Sequence, residues 1–116
     1  MTVAAIVLSM AALGGLTMVA IRLSGAPRPP TWLAIGHGLI ALTGVTLLAY
    51  SAAMSGIPQL AQISLGFFVL AALGGMAIFT LFHLRNLALP IPIVLGHAFL
   101  ALSGIGLLLY SLFQMP

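Results

Sequence analysis

Four apolar stretches, each about as long as a bilayer is thick, constrain this chain more than any other feature. They run Val3–Leu23, Trp32–Met54, Leu60–Leu84 and Ile91–Phe113, and a hydrocarbon core of about 30 Å asks for about 20 apolar residues per helix. The spacing predicts a transmembrane helix at each. Breaker residues lie between them: Ser24 through Pro30, Ser55 through Gln59, and Asn86 through Pro90. Pro30 and Pro90 stand at the first turn of the next helix, where proline is best tolerated. With 63% hydrophobic and 3% charged residues, against about 25% charged in an average soluble domain, no water-soluble fold could hide so much apolar surface. The N-terminus lacks a basic region ahead of the first apolar run, so that run is expected to be a retained helix, not a cleaved signal peptide.

The charge inventory is Arg22, Arg28 and Arg85, with no Asp, Glu or Lys. Paired-carboxylate hydrolysis, Ser-His-Asp triads, carboxylate proton relays and Mg²⁺ or Ca²⁺ sites are therefore excluded for the chain acting alone. The absence of cysteine removes disulfides, thiolate metal sites, iron–sulfur ligation and thiol nucleophiles. All three arginines lie where helix 1 joins helix 2 or helix 3 joins helix 4, so the positive-inside rule makes that side cytoplasmic. Both termini and the Ser55–Gln59 loop then fall on the opposite face.

An internal repeat sets the architecture. Residues 11–51 align without gaps to 71–111 at an offset of 60, and fifteen of the 41 positions are identical, against roughly four expected by chance for so apolar a chain. The identities are Ala11 through Gly15 with Ala71 through Gly75, Pro30 with Pro90, Gly36-His37 with Gly96-His97, Ala41-Leu42 with Ala101-Leu102, Gly44 with Gly104, Leu47-Leu48 with Leu107-Leu108, and Tyr50-Ser51 with Tyr110-Ser111. Each unit contains two crossings, so the units, about 3–54 and 60–113, insert in the same orientation. The expected fold is all-α: one transmembrane domain over 1–116, an integral membrane up-down four-helix bundle built from two parallel helix-pair repeats. In such a bundle helices 2 and 4 occupy diagonal corners.

That placement opposes His37 and His97 at equal depth, each roughly 9 Å inside the cytoplasmic end of its helix. Reading at i, i+4, i+7 and i+11, His37, Ala41, Gly44 and Leu48 share a face of helix 2, and His97, Ala101, Gly104 and Leu108 share one of helix 4. Gly14-Gly15 and Gly74-Gly75 fall at a similar level on helices 1 and 3. A haem b needs two axial imidazoles, room for a planar macrocycle and cations near its propionates. His37 and His97 are the candidate ligands; Gly15, Gly75, Ala41, Ala101, Gly44 and Gly104 are the candidate lining; Arg22 and Arg85, with Arg28, are the candidate propionate partners. Interhelical hydrogen-bonded packing and a non-haem metal are the competing readings of the pair.

His83, whose repeat counterpart is Leu23, is open to three readings: an interface anchor, a propionate partner, or a third ligand of a non-haem metal such as zinc or copper. The arginines also suit lipid phosphates. Tyr50 and Tyr110 fit the headgroup belt, or less readily a quinone contact, and the scattered methionines read as gap-fillers rather than a Cu(I) relay.

His83-Leu84-Arg85, Leu89-Pro90-Ile91-Pro92, His97-Ala98-Phe99-Leu100-Ala101 and Gly104 through Leu109 resemble small bacterial inner-membrane proteins of unassigned function. The resemblance covers the second half of the chain. In the first half Leu23 and Pro29 through Trp32 replace two of these elements, so only the glycine-histidine element is doubled. The resemblance implies a bacterial inner-membrane location. In outline the chain is also similar to four-helix b-type membrane cytochromes, an architectural likeness that carries no residue across. A haem about 10–15 Å beneath one face leaves nearly 20 Å of apolar helix before the other. The expected function is single-haem electron transfer with quinone or a larger membrane complex. The alternative is a non-catalytic accessory or assembly subunit whose histidines are structural, and transport ranks last because no polar path can be traced. The expected partners are lipid and those redox partners, not nucleic acid.

Overall fold

The computed structural model describes residues 1–116 and contains helices only. Helix α1 spans Thr2–Leu23, α2 Thr31–Met54, α3 Gln59–Ile78 and α4 Ile91–Phe113; a π-helical turn, Phe79–His83, continues α3. The helix bounds follow the breakers. Pro30 and Pro90 precede α2 and α4, Pro58 precedes α3, and Gly25 (φ +113°), Gly56 (φ +74°) and Asn86 (φ +57°) supply left-handed backbone in the three loops.

The helices form a bundle with long dimension 46 Å and cross-section 21 × 19 Å. Packing is most extensive within the hairpins α1/α2 and α3/α4; α1 also touches α4, and α2 touches α3. Helices α2 and α4 therefore stand on opposite corners. The two hairpin loops share one end, where the Leu89 N–H donates to the Pro27 carbonyl at 3.0 Å and Arg22 Nε donates to the Leu89 carbonyl at 2.8 Å. The α2–α3 loop lies at the other end with both termini: the Met1 ammonium donates to Ser51 Oγ at 3.4 Å, and Met1 and Ile57 pack on the same core cluster as Leu112.

Only 18 residues are buried, and half of them are alanine, glycine or serine. Ala4, Ala5, Leu8, Leu48, Ala61, Phe68 and Leu108 form the main cluster, and Ile78, Leu89 and Val94 a second near the arginine end. Large apolar side chains, leucine and isoleucine above all, face outward on every helix. An apolar exterior around a core rich in small residues differs from the pattern of a water-soluble bundle, whose outer face is polar. All four helices are long and apolar enough to cross a membrane, with mean hydropathy of 1.7 to 2.2 over their most apolar windows.

Candidate functional site

His37 is placed by the α1/α2 hairpin. Its Nδ1 lies 2.8 Å from the carbonyl oxygen of Ala11 on α1. A carbonyl only accepts, so Nδ1 carries the proton and Nε2 keeps the lone pair of the neutral ring. That carbonyl is reachable because the residue one turn on is Gly15. A Cβ there would come within 3.0 Å of His37 Cε1, closer than side-chain carbons pack. The Ala11–Gly15 spacing thus uncovers a backbone acceptor and leaves a notch for the imidazole.

The second hairpin repeats the notch sixty residues on. A Cβ on Gly75 would stand 3.0 Å from His97 Cε1. His97 Nδ1 is buried beside the Ala71 carbonyl but closes no hydrogen bond. The contact falls short of the geometry of the His37–Ala11 bond. The two histidines are equivalent in position and unequal in tethering.

Across the bundle the two rings meet edge to face, with centroids 6.2 Å apart and planes at 84°. Two imidazoles binding one ion from opposite sides through Nε2, at about 2.0–2.1 Å each, would have centroids about 6 Å apart. Metal-bound histidines also commonly donate their second ring N–H to a carbonyl, as His37 does to Ala11. The separation is therefore the one a shared ion would need, while the edge-to-face contact turns the face of one ring, not its Nε2, towards the other.

The expected lining divides. Ala41 and Ala101 are half-buried on the inner faces of α2 and α4, above Gly44 and Gly104, which are buried. The space over Gly44 is filled by Leu8, whose Cγ would lie 2.6 Å from an added Cβ; the space over Gly104 is filled by Phe68, at 2.9 Å. Positions 8 and 68 are again sixty apart. These two glycines serve packing within each hairpin, and the room beside them goes to side chains rather than to a flat ligand. Gly15 and Gly75 hold the imidazoles themselves.

At the arginine end, Arg22 is half-buried and committed through Nε to the Leu89 carbonyl; Arg28 is half-buried, and Arg85 is exposed. His83 is only 5% exposed, which differs from an interface anchor pointing outward. The π turn is the reason. The Leu84 N–H bonds back to the Phe79 carbonyl, five residues earlier, so each residue of the turn is displaced around the axis relative to an α-helix. His83 is turned inward, stacks on Phe79 with centroids 5.2 Å apart, and sits 3.0 Å through Nε2 from Thr31 Oγ1. Leu23, at the equivalent place in α1, is 54% exposed. His83 does not join His37 and His97, and no three metal-ligating side chains cluster anywhere in the chain.

Tyr50 and Tyr110 are exposed near the far ends of α2 and α4, and the methionines are dispersed. Sequence reasoning missed the notch function of Gly15 and Gly75, the filling of Gly44 and Gly104, and the Thr31–His83 contact. An available signal for the first was the pairing of each glycine with an alanine four residues earlier. No protein-family model, curated protein or solved structure matches the chain.

Proposed function

We propose that this chain is a bacterial inner-membrane b-type cytochrome. In this reading it is an up-down bundle of two parallel repeats, with the arginine end cytoplasmic and both termini on the far side. His37 and His97 would hold one haem b, and the protein would exchange electrons with quinone or a larger membrane complex. One observation carries the reading: two imidazoles on opposite helices, 6.2 Å apart between centroids, at the separation that one shared iron would require. Haem, when bound, supplies one-electron redox chemistry. The chain's own contribution is to fix the ring of His37 through the Ala11 carbonyl, with Nδ1 donating, and to pack apolar clusters towards both ends of the bundle.

A second reading is supported by Leu8 and Phe68 filling the Gly44 and Gly104 faces. There the small residues bring helices together, the histidines are packing groups, and the protein is an accessory or assembly subunit.

Titration of the detergent-purified protein with hemin separates the two. The cytochrome reading expects saturation at one haem per chain with a low-spin spectrum. Uptake without a stoichiometric end point, or none, favours the accessory reading.

A further inference from the structure

We propose that the recess at the arginine end is a binding site for a phosphate group, carried by a phospholipid headgroup or free in solution. The recess is an open depression of about 450 Å³ between the two hairpin loops, and Arg28, Thr31, His83 and Asn86 supply its polar wall. Pro27, Pro29 and Pro30 form much of the remainder, a rigid wall with no N–H groups of its own. The Leu89–Pro27 backbone bond and the Arg22–Leu89 bond tie the loops together, and the Asn86 N–H donates to the His83 carbonyl at 3.1 Å. The recess is built by the fold.

Charge identifies its occupant. Arg28 is half-buried and, unlike Arg22, makes no hydrogen bond within the chain, so its guanidinium is free to take an anion. No Asp or Glu exists in the chain, and the C-terminal carboxylate belongs to the opposite end of the bundle. An anionic partner would therefore come from outside the chain. Arg28 can offer a two-pronged fork to phosphate oxygens, and Asn86 and the Thr31–His83 pair can each turn a donor towards them. Trp32, next to Thr31, is 75% exposed, as an aromatic at headgroup level would be. Neither His37 nor His97 borders it; Arg28 is the one propionate candidate it shares with the cytochrome reading, and phosphate binding is measured with no haem present.

Trp32 is the only tryptophan, so its emission reports on this end of the molecule. The test titrates the protein, in a phosphate-free maltoside detergent, with inorganic phosphate and separately with short-chain phosphatidylglycerol. Saturable changes are expected. A response to both means that the phosphate group suffices; a response to only the lipid, or only the ion, names the source. Arg28→Gln is expected to weaken binding about tenfold or more, the scale of losing a hydrogen-bonded charge pair. Arg85→Gln, which alters an arginine that does not line the recess, should leave it within about twofold. Asn86→Gly keeps the left-handed backbone while deleting the amide, so it should also weaken binding, and it serves if Arg28→Gln does not fold. No saturable response to either ligand would overturn the proposal. So would an equal loss in Arg28→Gln and Arg85→Gln, the mark of diffuse attraction.

Discussion

Gly44→Ala and Gly104→Ala are expected to destabilise the bundle, whereas Gly36→Ala and Gly96→Ala are expected to leave it unchanged or stabilise it. Helix propensity alone predicts the same sign everywhere, because alanine is favoured over glycine by about 1 kcal/mol in a helix interior. Packing reverses it at two positions. A Cβ on Gly44 would lie 2.6 Å from Leu8 Cγ and 3.3 Å from the Leu8 backbone nitrogen. Leu8 is 3% exposed, so it has little room to retreat. On Gly104 a Cβ would meet three atoms of the Phe68 ring at 2.9 to 3.1 Å, and the ring is itself buried. Overpacking of this kind costs about 1–3 kcal/mol, which outweighs the propensity gain. Nothing lies within 4 Å of a Cβ on Gly36 or Gly96, so there the gain stands alone. Thermal unfolding in detergent, compared across the four variants, checks the sign at each site.

The second large effect concerns the imidazoles. His37→Gly and His97→Gly are each expected to lose low-spin haem completely, and added imidazole is expected to restore it. A free imidazole can occupy the vacated notch and supply the missing nitrogen. Rescue distinguishes a ligand from a packing group, since a packing role would move stability but yield no spectrum to restore. His37 is held by the Ala11 carbonyl at 2.8 Å while His97 Nδ1 closes no bond. His37→Gly should therefore also lower thermal stability more than His97→Gly, by about the 0.5–1.5 kcal/mol of one hydrogen bond.

Much of the architecture was legible in the sequence, for reasons that particular residues make plain. Apolar runs of bilayer length, ended by Pro30, Pro58 and Pro90, place all four helices within a few residues of where they lie. The sixty-residue offset puts α2 and α4 on opposite corners and brings His37 to His97, because equivalent residues of two like hairpins meet across the centre. The partners of the glycines were hidden from the same reasoning. Leu8 and Phe68 do equivalent work with different side chains, in a region where the two halves share no identities. His83 was hidden for another reason. Its inward position depends on a π turn that begins at Phe79, and the turn arises in a run of apolar residues that reads as plain α-helix. The Arg28 recess required both loops, and their closure through Leu89 and Pro27 joins residues far apart in the chain.

The central claim is that His37 and His97 share one iron. Its most direct measurement is the absorption spectrum of the detergent-purified protein, produced with adequate haem supply, recorded oxidised and then reduced with dithionite. A sharp reduced α-band in the wild type, absent from both His37→Ala and His97→Ala, is the predicted result. A colourless wild-type protein that also refuses added hemin, or an α-band that survives either substitution, would contradict it.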